Sequence, residues 1–512
     1  MTKALAVFLL IFVFTFNSAQ GQQSSGPALL TYNELVALYE NEPPSPELSS
    51  KLTRLLTMPF VNNSVRTRPG KTRSMLRVAT WNIERGIEFE ALKAALTNDQ
   101  RFFRRLRPAM RGSDFNLANV LEQAAELSRA DIVILNEVDW GLKRTNYRNV
   151  TRELASAMQM NYVFGVEFVE VDPITLGIET LEGETSADKP KMIENLRVDK
   201  RRTLGLHGTA VLSRLPLRNP RVVRFINQGH DWYGEEKDGI SKLEEGKRKG
   251  AKLVFGEKIM REVRRGGRMM LLTDISDASI PGGAVTVVAT HLEGKSKPSQ
   301  RRKQLEEVLA AVKNIDHPVI LAGDMNTSGS DATPTSFQRE VKKRLGSTSF
   351  WATQGIKYAT GVGLLYDITV GLVKMQRTRN DPTVKSIKFV SENPEEEFFD
   401  TLKDFRFADG GAFDFRGSKE HSTGASGETL SDSNERGSKG FVSTLELNGK
   451  FDIDMKLDWI FVKPVGLTDP DDRDQPYVFA PQFGRTLKTL NYSLKDRISD
   501  HNPLIVDLPL AR

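Results

Sequence analysis

From Leu76 onward, short apolar runs alternate with polar stretches, and several runs end on a carboxylate, an amide or a histidine. The runs at 76–81, 131–135, 209–212, 284–290, 319–322, 459–462 and 504–508 have strand length and are rich in Val, Ile, Leu and Phe, so each predicts a buried strand. Two stretches between them carry helical periodicity: Leu117, Leu121, Ala124 and Leu127 form one apolar stripe, and Leu305, Val308, Leu309 and Val312 form another. Strands interleaved with covering helices predict an α/β layered domain over 75–512.

The chain before this region is patterned differently. Thr31 with Glu34 makes a capping-box pair, and Ser45-Pro46-Glu47 sets a capping hydroxyl before a proline at the first helical position, so 22–74 reads as a helical leader packed on the main domain. Further upstream, Lys3 precedes an apolar run over 4–16, followed by Ser18, Ala19 and Gly21. That is the plan of a secretory signal peptide over 1–21, and the run is too short to cross a bilayer, which takes about 20 residues. The mature chain is expected to have no transmembrane segment, and its compartment to be secreted or periplasmic. Polar stretches near 173–202, 234–268 and 328–450, the last rich in Gly and Ser over 409–440, are expected to be insertions or solvated surface loops.

Composition narrows the chemistry. With 39% hydrophobic and 27% charged residues over 512 positions, the chain can bury a large core. A formal charge of +6 is a mild excess for this size; it suits an anionic substrate without deciding on one. There is no cysteine, which excludes disulfides, thiolate metal sites and cysteine nucleophiles.

The polar residues at the strand ends are Asn82 and Glu84 in ATWNIERG, Glu137 in ILNEVD, His291 in VVATHLEG, Asp324 and Asn326 in ILAGDMN, Asp458 in LDWIF, and Asp500 with His501 in ISDHNPL. Oxygen ligands such as Glu137, Glu84 and Asp500 suit Mg²⁺, with Mn²⁺ as the alternative. A carboxylate beside a histidine holds the imidazole in the tautomer that accepts a proton from water. Asn82, Asn326 and His291 offer donors for phosphate oxygens. Hydrolysis of a phosphate ester requires acceleration approaching ~10²¹-fold, and one general base supplies about 10²–10⁴-fold, so a constellation is needed rather than a single group.

In this order the motifs resemble the endonuclease/exonuclease/phosphatase superfamily, which includes deoxyribonuclease-like and neutral-sphingomyelinase-like members, over about 76–510. The resemblance implies an α/β four-layer sandwich, two packed mixed β-sheets flanked by helices, with the site at one end of the sheets. It implies Glu137 as the principal metal ligand with Glu84 nearby, Asn82 as the first-strand asparagine and His291 as a phosphate contact. Asp324 and Asn326 would place the nucleophile and stabilise the transition state. Asp458 would orient the catalytic His501, which Asp500 precedes. His291 argues against the abasic-site endonuclease branch. Thr327-Ser328 after Asn326, and Lys456-Leu457-Asp458-Trp459 in place of a Pro-Ser-Trp signature, argue against the inositol phosphatase branch. The segment 206–213 resembles a strand of sphingomyelinase-like and general bacterial members.

The reading is therefore an exported Mg²⁺-dependent phosphoesterase acting on a phosphodiester or phosphomonoester, with nucleic acid and phospholipid as alternative substrates and a noncatalytic binding protein as the competing class. Lys143, Arg144 and Arg148, Lys295, Arg301 and Arg302, and Arg261, Arg264, Arg265 and Arg268 incline it towards nucleic acid. A lipid-directed enzyme would expose an apolar wedge, for which Trp232-Tyr233 and Phe350-Trp351 are the candidates.

Overall fold

The computed structural model describes residues 26–65, 74–113, 115–179, 197–237, 262–327, 377–381, 384–389, 396–414, 445–447, 453–455, 457–470, 472 and 475–510. The expected signal segment, Arg261, Phe350-Trp351 and most of 328–450 lie outside them.

Each predicted strand is present, and those predicted at 76–81, 131–135, 284–290, 319–322 and 459–462 extend to take in their polar end residues. In chain order the strands of the two large sheets are β1 (Phe60–Asn62), β2 (Met75–Arg85), β3 (Ile132–Trp140), β4 (Asn161–Glu170), β5 (Leu206–Ser213), β6 (Leu217–Arg224), β7 (Arg264–Gly266), β8 (Met269–Ser276), β9 (Ala284–His291), β10 (Val319–Asp324), β11 (Asp458–Lys463), β12 (Gln482–Thr486) and β13 (Leu504–Pro509). An eight-stranded sheet runs β1-β4-β5-β3-β2-β13-β12, with β7 beside β4, and a five-stranded sheet runs β11-β10-β9-β8-β6. Both are mixed: β2 lies parallel to β3 and β9 parallel to β10, while the other pairs are antiparallel.

The sheets face each other across a dry layer in which Val78, Ile132, Ile134 and Val506 of the large sheet meet Leu271, Val287, Ile320 and Val462 of the small one. On the outer side of the large sheet, helices α1 (Tyr32–Glu40), α2 (Pro46–Thr57), α3 (Phe89–Thr97), α4 (Leu117–Leu127) and α5 (Val150–Met158) bury their apolar faces against Trp81, Val133 and Leu135. On the outer side of the small sheet, α6 (Pro298–Val312) and α7 (Glu396–Asp404) cover Val288, Leu321 and Phe461. Helix, sheet, sheet, helix is the four-layer sandwich, and burial on both faces explains why the central strands read as continuous apolar runs. On the outer faces, α4 buries Val120, Ala124 and Leu127 while Leu117 and Leu121 of the expected stripe are half-buried, and all four residues of the α6 stripe are buried.

The leader forms as its caps dictate. The Thr31 hydroxyl accepts from the Glu34 N–H at 3.3 Å, and the Glu34 carboxylate accepts from the Thr31 N–H at 2.7 Å. Ser45 caps α2, with Pro46 as its first residue. Strand β1, which follows, pairs with β4 at the edge of the large sheet.

Strands β1, β4, β6, β7, β8 and β12 lie outside the predicted runs; in β4 and β8, Glu167 and Asp274 interrupt the apolar pattern. One expectation is corrected. The C-terminal end of the 234–268 loop is not solvated: β7 pairs with β4, and Val263, Arg264 and Arg268 are buried.

Candidate active site

Strand register brings three predicted residues into one row. Asp324 at the end of β10 pairs with His291 on β9 and with Asp458 on β11. The large sheet meets this row through Asn136, whose amide donates to the Thr209 hydroxyl at 2.9 Å and the Thr290 carbonyl at 3.1 Å, while its oxygen accepts from the Asp324 N–H at 2.9 Å. Gly323 permits this approach. Its φ is +137°, and a Cβ there would lie 2.0 Å from the Thr290 carbonyl oxygen and 2.8 Å from the Asn136 side-chain oxygen.

On the large sheet, irregular backbone aims the acids. Strand pairing shifts register between Asn82 and Arg85 on β2 and between Leu135 and Val138 on β3. At these shifts Glu84, Arg85 and Glu137 take φ of 46°, 68° and 52°, and Asn326 takes 47° after β10. Left-handed φ on non-glycine residues costs on the order of 1–3 kcal/mol each and collects where a side chain must be re-aimed.

The side chains converge on Asp324. Its Oδ2 accepts from the Asn82 amide at 3.0 Å and lies 3.4 Å from His291 Nε2 and 3.8 Å from His501 Nε2. Its Oδ1 accepts from the Asn326 N–H at 2.8 Å. His501 Nδ1 is 2.7 Å from Asp458 Oδ2, and the ring is held from behind because the His501 carbonyl accepts from Trp81 Nε1 at 2.7 Å. Glu84 accepts from the Asp500 N–H at 3.0 Å, joining the first and last motifs of the chain. Asn82 Nδ2 also reaches Glu137 Oε1 at 3.3 Å, so it bridges two carboxylates instead of standing free for phosphate. Asn326 donates one amide hydrogen to the Leu292 carbonyl at 2.9 Å and retains the other. His291 Nε2 and the second Asn326 amide hydrogen are thus the donors left for phosphate.

The electrostatics divide the acids into groups. Burial, reinforced by Asp500 and Glu137, raises the Glu84 carboxyl to about 7. Burial and Glu137 also raise Asp500. Glu137, though buried, is held below its usual range by Arg85, His207 and His501. Burial raises Asp324 to about 7 with help from Asp458, against the pull of His501. The two histidines beside Asp324 are driven apart: burial and Arg268 push His291 well below 6.5, whereas Asp458, Asp324 and Asp500 outweigh burial and lift His501 well above it. Paired groups driven in opposite directions mark acid–base machinery.

Two donor sets invite a cation. Ligand atoms of Asp324, Asp458 and His501 lie within 4.8 Å of one another, but Asp458 and the His501 Nδ1 already satisfy each other at 2.7 Å. Asp500 and Glu137 raise the charging cost of Glu84, and Glu137 raises that of Asp500, a repulsion that a divalent ion held by these oxygen ligands would relieve.

His207, Asp139 and Glu167 are not singled out by sequence reading, and Arg144 and Arg268, singled out there as nucleic-acid contacts, meet Asp139 and Glu167 here. His207 Nδ1 is 2.9 Å from Asp139 Oδ1, and Arg144 clamps that carboxylate at 2.6 and 2.9 Å. Arg268 Nη1 lies 2.8 Å from His291 Nδ1 and 2.7 Å from Glu167. Four of the basic residues expected to meet nucleic acid already hold protein partners. Arg144 is spent on Asp139 and Glu170, Arg148 on Glu90 and Glu153, Arg301 on Thr327 and Ser296, and Arg264 on Glu262 and Glu170. The expected apolar wedge is corrected too: Trp232 and Tyr233 are buried, and Trp232 Nε1 donates to Glu293 at 2.8 Å.

Comparison with known proteins identifies the family. The model of the Endonuclease/Exonuclease/phosphatase family matches residues 79–501. Among solved structures, an endonuclease/exonuclease/phosphatase from Beutenbergia cavernae is 16% identical, covering 86% of this chain and 72% of that one at a TM-score of 0.34. One from Bacteroides vulgatus is 11% identical, covering 86% and 100% at a TM-score of 0.37. The human Nocturnin catalytic domain with bound sulfate is 12% identical, covering 86% and 97% at a TM-score of 0.35. A comparison with curated proteins found no match. With the family model spanning every motif from Asn82 to His501, the chain belongs to the endonuclease/exonuclease/phosphatase family and is a metal-dependent phosphoric ester hydrolase.

Proposed function

We propose that this chain is an exported, Mg²⁺-dependent phosphoesterase in which His501 activates the attacking water. The observation that carries this reading is the His501–Asp458 contact. At 2.7 Å the carboxylate takes the Nδ1 hydrogen, so that in the neutral ring the Nε2 lone pair lies on the side of Asp324. Because Asp458, Asp324 and Asp500 outweigh burial and lift His501 well above its usual range, this base form grows in as pH rises. A water between His501 Nε2 and Asp324 would lose its proton to His501, and Asp458 would stabilise the imidazolium that forms. Asp324 would hold the water by its second hydrogen, with Asn82 and the Asn326 N–H fixing the carboxylate. His291 Nε2 and the remaining Asn326 amide hydrogen would donate to the phosphate as charge builds on its oxygens. Glu84, Glu137 and Asp500 would hold the divalent cation, which supplies Lewis-acid stabilisation of the phosphate when bound.

Of the features that might name the substrate, Arg144 and Arg268 are paired with buried acids, and Trp232 and Tyr233 are packed inside. The proposed substrate class is accordingly a phosphodiester or phosphomonoester, with DNA, RNA and phospholipid decided by assay. Export rests on the apolar run over 4–16 and the small residues near Ala19 and Gly21. Among the described residues, no helix is long and apolar enough to cross a membrane. The purified protein should be assayed with Mg²⁺ against DNA, RNA, sphingomyelin and small phosphodiesters. Hydrolysis of at least one, abolished by EDTA and restored by Mg²⁺, supports the reading; full activity in EDTA with metal content verified as negligible overturns it.

A further inference from the structure

We propose that Arg268 is a positioning residue that locks His291 in its Nε2–H tautomer and so makes it a fixed hydrogen-bond donor at the phosphate. The catalytic half of this inference rests on the phosphoesterase reading above; the tautomer half does not.

The argument begins with the donor inventory. A guanidinium carries five N–H donors and no acceptor, so Arg268 Nη1 at 2.8 Å from His291 Nδ1 requires a lone pair on Nδ1. The neutral ring then carries its hydrogen on Nε2, the nitrogen 3.4 Å from Asp324 Oδ2. A doubly protonated ring would set N–H against N–H at 2.8 Å and place two cations in contact inside the protein. His501 has the opposite arrangement, because its Nδ1 faces the acceptor-only carboxylate of Asp458 at 2.7 Å. In their neutral forms the two imidazoles that flank Asp324 are therefore opposite tautomers, one presenting a lone pair and the other a hydrogen.

Arg268 is itself held so that it cannot turn away. Nη1 donates to Glu167 at 2.7 Å, Nε donates to Glu293 at 3.2 Å, and the guanidinium lies 5.2 Å from the Phe168 ring centre. Its backbone N–H donates to Gln228 at 2.6 Å. The carboxylates are anchored in turn, Glu167 by the Thr209 hydroxyl at 2.5 Å and Glu293 by Trp232 Nε1 at 2.8 Å. Side-chain exposure is 7% for Arg268, 0% for Glu167 and 1% for Glu293, which leaves little room for water to substitute for any partner. A buried arginine balanced by two buried acids is costly to assemble, and removing one partner leaves an uncompensated buried charge, so the group is held in one arrangement. Here that arrangement ends on His291, and it spares the ring a change of charge during turnover.

The test is direct. The wild-type protein is labelled with ¹⁵N-histidine, and its imidazole nitrogens are read by long-range ¹H–¹⁵N correlation, the His291 signals being assigned by their loss in His291→Asn. The expected result is an unprotonated Nδ1 and a protonated Nε2; a protonated Nδ1 on His291 overturns the inference without any variant at Arg268. Arg268→Gln, whose amide can turn to offer either an acceptor or a donor, should release the tautomer and lower kcat by about 10²-fold with KM near that of the parent, the loss expected of a misplaced transition-state donor. Arg268→Lys, which can only donate, should restore the Nε2–H form and most of kcat. Parental kcat in Arg268→Gln, or no recovery in Arg268→Lys at an equal melting temperature, counts against the role. Should wild-type protein hydrolyse no phosphate ester, the functional reading fails while the imidazole signals still decide the tautomer.

Discussion

Asn136 on the large sheet accepts a hydrogen bond from the backbone N–H of Asp324 on the small sheet, at 2.9 Å. This one amide joins the two halves of the sandwich at the level where the chemistry is proposed, since its Nδ2 also donates to Thr209 and to the Thr290 carbonyl. Leaving a buried polar group unsatisfied costs about 1–3 kcal/mol, so Asn136→Ala should lower stability by roughly 3 kcal/mol in a urea titration. It should also lower kcat, because Asp324 loses the contact that fixes its height. A urea midpoint and turnover both at parental values would show that the inter-sheet bridge carries neither load.

His501→Ala should reduce turnover by at least about 10²-fold, the low end for loss of a general base, with a melting profile close to that of the parent. Asp458→Asn should fall in step, since an amide at this position can hold the ring in the wrong tautomer. Equal loss of folded protein and of activity in both variants would make the pair structural.

Glu84 gives a pH signature. Its folded pKa of about 7 is raised above the ordinary 4.5, so the stability tied to its protonated form is complete below about 4.5 and is lost as pH rises through about 7. In EDTA, Glu84→Gln should therefore melt higher than the parent at pH 8, with the difference shrinking towards pH 4.5. Mg²⁺ should raise the parental melting temperature and narrow that gap, while the variant loses activity. A difference between the two proteins that does not change with pH would remove the carboxylate repulsion from the account.

Arg144 and Arg148 should behave differently despite their proximity in sequence. Arg144 is bidentate to the fully buried Asp139 and also reaches Glu170, so Arg144→Ala leaves charge uncompensated in the interior and should cost about 3–5 kcal/mol. Arg148 pairs with the more exposed Glu90 and Glu153, and its loss should cost about 1 kcal/mol or less. Thermal melts of the two variants check this, and a larger loss for Arg148→Ala would contradict the burial argument.

What the sequence determined by itself was the α/β character of the chain and the positions of the strand-end acids, amides and histidines. Both are local properties: an apolar run of strand length followed by a polar residue announces a sheet end wherever it occurs, and the caps at Thr31 and Ser45 involve residues only three apart. What tertiary structure alone decided was which charges have partners. Arg268, 101 residues from Glu167 and 23 from His291, reads in sequence as one more basic residue in a polar loop, as do Arg144 and Arg264. A charge is solvated unless its counter-charge is brought to it, and that depends on strand order and register. The pairing of β7 with β4, and of β8 with β9, places Arg268 between Glu167 and His291. The bulges at Glu84 and Glu137 are equally invisible in sequence, because their left-handed φ values are imposed by neighbouring strands whose order is fixed only when the two sheets close on each other.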